Sequence, residues 1–217
     1  MQRKRIMLII PLTVGLLSTN CYIVACERTC KALIIDPGFD EVEAPWILKE
    51  IDEHNLRIKY VLNTHGHMDH ISGNTLVKET LRAKIIIHQS DACMLTDPLK
   101  NLSMLLGRAV ISPPPDLTIQ NGEILRIGFL KFKVIHTPGH TPGSISLYCE
   151  DERVVFTGDT LFARSIGRTD LPGGSYETLI STIRGRLFNL PDETAVYPGH
   201  GDRTTIGIER KWNPFLR

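Results

Sequence analysis

Seven side chains able to hold a metal stand in order along this chain, each in a glycine-rich context. They are His65, His67, Asp69 and His70 in Thr-His-Gly-His-Met-Asp-His, then His140 in Thr-Pro-Gly-His-Thr-Pro-Gly. Asp159 follows in Thr-Gly-Asp-Thr-Leu-Phe and His200 in Tyr-Pro-Gly-His-Gly. Imidazole and carboxylate bind borderline divalent cations and leave coordination positions open for water and substrate. The set is too large for one closed tetrahedral site and suits two adjacent metals. Burying so many His and Asp together would cost several kcal/mol without a compensating cation. The chemistry expected is that of a metalloenzyme.

The spacing fits that chemistry. His65 and His67 follow a short strand, and in extended backbone residues i and i+2 project to one side, so both rings reach one ion. Gly66 lets the backbone turn without a side chain in the way. Asp69 and His70 come later, where a helix begins, and aim at a neighbouring ion. Pro138-Gly139 and Thr141-Pro142-Gly143 fix a sharp loop around His140. Asp159 ends a strand, and its two carboxylate oxygens can bridge two metals. Of the other histidines, His54 reads as a surface residue and His136 as a packing or hydrogen-bonding residue. His88 could line the rim of a cleft, but a satisfied structural role is the stronger reading.

These ligands need elements to position them. Strands are expected at residues 6–10, 21–25 and 32–35, the last ended by Asp36-Pro37-Gly38, and at 60–63 and 84–88. Residues 42–54 have helical spacing with Trp46, Ile47, Leu48 and Ile51 on one face, and 71–81 read as a second helix. Ser90 is expected to cap another short helix. From 97 to 116 the pattern loosens: Leu102, Met104, Leu105 and Leu106 suit a short helix, and Pro113-Pro114-Pro115 a stiff extended turn. That insertion is either a substrate-facing loop or a surface excursion packed on its own domain. Strands at 124–127, 131–136, 144–148, 154–156 and 195–197 and helices at 176–187 and 204–211 complete the second half. Each half carries strands first and helices after, which predicts an α/β protein with two sheets face to face and helices outside. No linker divides residues 1–217, so a single domain is expected.

The 25 Lys and Arg nearly cancel 24 Asp and Glu, so net charge implies no nucleic-acid partner. Arg3-Lys4-Arg5 reads as a solvated terminus. The apolar run at 6–17 has the look of a secretory signal, but Pro11, Thr13 and Gly15 interrupt it. A first buried strand in a cytoplasmic protein is the favoured reading, with no segment fit to span a bilayer. Five cysteines without a Cys-x-x-Cys pair argue for a reducing interior. Cys26 and Cys30 could meet across a hairpin, although ordinary buried thiols are the simpler reading.

Taken together, these motifs resemble the metallo-β-lactamase superfamily over nearly the whole chain. Leu-Ser-Thr-Asn-Cys-Tyr (17–22), Gly-Asp-Thr-Leu-Phe (158–162), Gly-Arg-Thr-Asp (167–170) and Asn-Pro-Phe-Leu-Arg (213–217) resemble glyoxalase II within it. The resemblance implies a four-layer αββα sandwich with two metals in a cleft at the sheet edges. By the same resemblance His65, His67 and His140 hold the first metal, Asp69, His70 and His200 the second, and Asp159 bridges. Zinc is the default metal, with iron and manganese also known in such sites. The implied reaction is attack of a metal-bound hydroxide, formed at a water whose pKa falls to about 7, on the carbonyl of a small acyl thioester such as S-lactoylglutathione. Asp69 would orient that hydroxide. A thiolate of pKa near 8.5 leaves without a strong general acid.

Arg168 stands where glyoxalase II has a basic residue that contacts a glutathione carboxylate, a task suited to Arg; the alternative is a surface pair with Asp170. Glyoxalase II has a further C-terminal helical domain that completes the glutathione site, and this shorter chain resembles the single-domain hydrolases of that type. A persulfide dioxygenase is the rival from another reaction class; it shares the fold and uses one iron held by counterparts of His65, His140 and Asp159. A β-lactamase or lactonase using the same site is the third alternative. A small-molecule substrate is common to all three.

Overall fold

The computed structural model describes residues 6–217, so Arg3-Lys4-Arg5 lies outside the described residues. Side chains along a strand alternate between faces, and strand β2 shows what this does to the layering. Its Cys21, Ile23 and Ala25 join a core with Ile47, Ile51 and Val77 from helices. Its Tyr22, Val24 and Cys26 join a second core with Phe132, Val134, Leu147 and Phe156 from the opposite sheet. A strand apolar on both faces is thereby sandwiched, and each large side chain buried this way contributes about 1.5–3 kcal/mol.

The first sheet holds β1 (Met7–Val14), β2 (Thr19–Cys26), β3 (Lys31–Ile35), β4 (Arg57–Leu62), β5 (Lys84–His88) and β6 (Leu117–Ile119) in that spatial order. The first three are antiparallel, and β3 to β6 run parallel. The second sheet contains β7 (Ile124–Ile127), β8 (Leu130–His136), β9 (Ile145–Cys149) and β10 (Val154–Gly158). A separate hairpin follows, β11 (Leu161–Phe162) with β12 (Ser165–Ile166). The sheet is then completed on the other side of β10 by β13 (Ala195–Pro198), parallel to it, and β14 (Thr204–Thr205). Helices α1 (Ala44–Glu53), α2 (Met68–Ile71) and α3 (Asn74–Leu81) belong to the first half, and α4 (Tyr176–Gly185) and α5 (Ile206–Trp212) to the second. Residues of α4 and α5, among them Leu179, Ile183 and Ile206, pack on Val155 and Val196 in a third core. The layers are helix, sheet, sheet, helix, the α/β sandwich expected.

Several local expectations are corrected. The helix expected over 71–81 is two helices, because Gly73 N donates to Pro37 O at 2.7 Å and interrupts the run. A Cβ at Gly73 would sit 2.7 Å from that same oxygen, so the close crossing requires glycine. The first strand continues through Pro11 to Val14 and is half-buried at the sheet edge, a position where the missing proline N–H is tolerated. In α1, Ile47 and Ile51 are buried but Trp46 is 40% exposed. The 3-10 turn Gln89–Met94 is capped by His88, whose side chain accepts from Ser90 N, rather than by Ser90 itself. Residues 204–205 pair as β14 before α5 begins, with Thr205 capping the helix. The helix expected to reach residue 187 ends at Gly185 and is followed by a 3-10 turn.

All five cysteines are free; Cys21, Cys26 and Cys149 are buried, Cys30 is half-buried and Cys93 exposed. Among the described residues no helix is long and apolar enough to cross a membrane.

Candidate metal centre

The ligand-bearing turns leave the ends of β4, β8, β10 and β13 and meet along one edge of the sandwich. There the sheets are stitched by a bridge between Thr19 and His200 and by Asn20 N donating to Gly199 O at 2.7 Å. All seven expected residues come together. One ligand atom each from His65, His67 and His140 lies within 4.8 Å of the others, and the same holds for Asp69, His70 and His200.

Asp159 stands between these two groups. Its Oδ1 is 3.5 Å from His70 Nε2, while its Oδ2 is 3.6 Å from both His140 Nε2 and His200 Nε2. Asp69 Oδ2 is 3.3 Å from the Nε2 atoms of His70 and His200 and accepts from Thr19 Oγ1 at 2.9 Å. The backbone leaves no slack here: a Cβ at Gly199 would strike Asp159 Oδ1.

The donors fit a pair of cations. His65 Nε2, His67 Nε2, His70 Nε2 and Asp159 Oδ1 are buried without a hydrogen-bond partner, a concentration of unmet polar atoms that a folded interior avoids. His67 Nδ1 and His140 Nε2 face each other at 2.9 Å. Burial, reinforced by His140 and His70, pushes His67 down to about 3, and burial holds His65 well below the ordinary histidine range. Both are therefore neutral, the form that donates a lone pair to a metal. For His70 burial opposes the charged form, but the carboxylates of Asp69, Asp159 and Asp36 outweigh it and raise its pKa. Burial likewise opposes an ionised Asp69, and His70 and His200 overcome that to lower its pKa. Nitrogen and oxygen donors of this kind, with no Lys or Arg among them, suit zinc, iron or manganese. The set amounts to a potential dinuclear His/Asp metal centre.

Two buried carboxylates that sequence reasoning gave no role hold the cluster in shape. Asp36 Oδ2 accepts from His70 Nδ1 at 3.0 Å and from Thr64 Oγ1 at 2.6 Å, and its Oδ1 accepts from Thr64 N at 2.7 Å. Thr64 Oγ1, its own proton given to Asp36, accepts from His65 Nδ1 at 3.1 Å. One carboxylate thus fixes the tautomer of two imidazoles so that each turns Nε2 inward. Asp36 lies close enough to His65 and His70 to count as a metal ligand by distance alone, but both its oxygens are already engaged away from the cluster. It orients. His140 is fixed similarly, donating from Nδ1 to Arg168 O at 2.8 Å.

Asp91 braces the loops. It accepts from Gly66 N at 3.2 Å, Thr141 Oγ1 at 2.6 Å and Gly143 N at 2.7 Å, tying the His65–His67 turn to the His140 turn. The signal available for Asp36 was the Asp-Pro-Gly at a strand end; Asp91 had none.

The remaining histidines lie outside the cleft. His136 stacks on His88 at 4.3 Å and donates from Nε2 to Pro142 O, while buried His88 caps its turn. His54 is exposed at the end of α1.

A cleft of about 410 Å³ opens over His67, Asp69, His140, Asp159 and His200. Leu102, Leu105 and Leu106 form part of its wall, so the 97–116 insertion faces the site. Arg168 also lines it, and its guanidinium pairs with both oxygens of Asp170 at 2.9 and 2.8 Å. The surface pair foreseen as an alternative exists, and it does not remove Arg168 from the cleft.

A two-sheet sandwich with a His/Asp metal centre at the ends of its strands defines a class of metal-dependent proteins. The chain belongs to the metallo-β-lactamase superfamily, whose family model matches residues 14–200. It is 40% identical over 210 residues to hydroxyacylglutathione hydrolase GloC of Haemophilus influenzae, covering 96% of each chain. Among solved structures it is similar to BLEG-1 B3 metallo-β-lactamase, with 38% identity, a TM-score of 0.90 and coverage of 96% of this chain and 99% of that one. It is also similar to TTHA1623 in a di-iron-bound form, with 36% identity, a TM-score of 0.83 and coverage of 95% and 100%. The superfamily consists mostly of metal-dependent hydrolases.

Proposed function

We propose that this protein is a dinuclear metal-dependent hydrolase that cleaves a small acyl thioester in the manner of glyoxalase II. The observation that carries the dinuclear reading is Asp159, one oxygen turned to His70 and the other to His140 and His200. In this reading His65, His67 and His140 hold one cation, Asp69, His70 and His200 the other, and Asp159 is shared. Zinc is the proposed metal, and the di-iron form of TTHA1623 makes iron the second choice. The bound cations supply Lewis acidity and lower the pKa of coordinated water to about 7. Asp69, its Oδ2 held by Thr19 Oγ1, orients the attacking water through its other oxygen. The leaving thiolate needs no proton from the protein. A cytoplasmic setting accords with free thiols at all five cysteines.

Thioester chemistry is supported by the 40% identity to GloC over nearly the full length of both chains. The likeness to BLEG-1 favours a second reading, a β-lactamase. A panel of S-lactoylglutathione, simple thioesters, a lactone and nitrocefin separates them, with thioester turnover expected to dominate. Nitrocefin turnover far above thioester turnover would reverse the order. Oxygen uptake with glutathione persulfide, without thioester cleavage, would move the protein to the dioxygenase class.

Metal should also be legible in stability. Adding zinc at about 100 times its Kd to chelator-treated protein is expected to raise Tm by about 5–10 °C, from linkage and the usual entropy of unfolding for a chain of this size. An unchanged Tm would contradict a cation that satisfies the buried donors.

Arg168 is the proposed contact for a substrate carboxylate, and Asp170 competes for it. Asp170→Asn is expected to lower KM about twofold to fivefold for a thioester carrying a carboxylate, the scale of an exposed ion pair. A neutral thioester measured alongside should not change. Equal effects on both would remove Arg168 from substrate binding.

A further inference from the structure

One part of the cleft wall, formed by Asn101, Leu102, Leu105 and Leu106, has a construction of its own. Its base is buried and polar: Asn101 and Ser103 are both fully buried. Asn101 Nδ2 donates to Val110 O at 2.8 Å, Ser103 Oγ accepts from Val110 N at 3.0 Å, and Ser103 N donates to Asn101 Oδ1 at 3.0 Å. Met68 N, one residue before Asp69, donates to Asn101 O at 3.0 Å and fastens this base to the metal centre. On the anchored base stands a short 3-10 turn, Ser103–Leu106, that turns leucines outward: Leu105 is 73% exposed and Leu106 50%. Leu102 enters the turn at φ +68°, a left-handed conformation that a branched apolar side chain rarely holds. A loop that keeps Leu105 and Leu106 in solvent, and enters the turn through a half-buried Leu102 in unfavourable backbone geometry, is spending stability on something other than packing.

These leucines line the same cleft as Asp69 and Asp159, with Leu17 and Phe162 also on its wall. Among the described residues Arg168 is the only Lys or Arg of the lining, and it is already paired with Asp170. Beyond Arg168, which the reading above gives to a carboxylate on the thiol side of the substrate, the lining offers an acyl group leucine and phenylalanine side chains and no further Lys or Arg. Resting on the thioesterase reading above, we infer that the Leu102–Leu106 turn is the acyl-recognition wall of this enzyme, and that the preferred substrates are thioesters of apolar, medium-length acyl groups. The polar lactoyl group is then a poor fit to this wall.

The test is a series of acetyl, butyryl, hexanoyl and octanoyl thioesters of one neutral thiol, N-acetylcysteamine, with the lactoyl ester beside them. Catalytic efficiency, kcat/KM, is expected to rise about threefold to fourfold per methylene until the wall is covered, the gain of burying each CH₂. The lactoyl ester should fall well below the butyryl. Leu105→Asp, at an exposed position that spares folding, is expected to reduce the octanoyl-to-acetyl ratio at least about tenfold. Leu99→Asp, equally exposed but outside the cleft lining, should leave the ratio as it was. The non-hydrolysable S-alkyl thioethers of the same thiol give a second readout, binding to chelator-treated protein by calorimetry in the same order of chain length. A flat or falling series, with thioesters cleaved and the thioethers binding without regard to length, overturns the acyl wall while leaving the hydrolase intact. Absence of turnover for every thioester overturns the parent reading and this inference with it.

Discussion

Asp159→Ala is expected to lower kcat/KM on the best thioester by about 10³ or more, the loss of roughly 4 kcal/mol of transition-state stabilisation. The size follows from its position. Its two oxygens face the Nε2 atoms of three histidines, drawn from both ligand groups, at 3.5 to 3.6 Å. On the dinuclear reading, removing it would take one donor from each cation at once, so metal content measured on the purified variant should fall together with the rate. His67→Ala, which removes a ligand of one group only, should also abolish turnover while leaving the Asp69, His70 and His200 group able to bind. Retained activity in Asp159→Ala would rule out the shared role, whatever the metal content.

The second large effect is expected at Asp36, which touches no substrate. Asp36 is buried and accepts from His70 Nδ1, Thr64 Oγ1 and Thr64 N. Asp36→Asn keeps the shape but turns an NH₂ donor towards groups that themselves donate. The imidazoles of His65 and His70 then lose the partner that holds their Nε2 atoms inward, and such outer partners are typically worth 10–100-fold in metal affinity. A competition titration should show that loss, and excess metal should restore full occupancy and most of the rate. If Asp36 were itself a ligand, one equivalent of metal would stay missing at saturation, and that result would overturn the orienting role.

What could be read from the sequence, and what could not, divides along physical lines. The ligands were legible because each occupies a short turn rich in glycine or proline after an apolar run, and metal chemistry admits few residue types. The sandwich was legible because strands such as β2 are apolar on both faces, which requires a layer on each side. The carboxylates that support the site were not. Asp36 acts on residues 28 and 34 positions away, and Asp91 joins turns 25 and 52 positions away, so neither role leaves a local pattern, and Asp36 shows only as an Asp-Pro-Gly at a strand end. The break between α2 and α3 also depends on a distant oxygen, that of Pro37, since the apolar spacing runs through it. Strand β6 and the β11–β12 hairpin have three and two residues per strand, too few for any period to register. Trp46 follows the helical pattern and still faces solvent, because pattern sets a face and the neighbouring layer sets how wide that face is.

Anomalous diffraction at a metal absorption edge, on crystals of catalytically competent protein grown without chelator, tests the central claim most directly. Two peaks about 3.5–4 Å apart are expected, one among His65, His67 and His140 and the other among Asp69, His70 and His200, with Asp159 between them. Crystals of active protein with no peak at either position, their histidines and carboxylates bonded directly to one another, would contradict it.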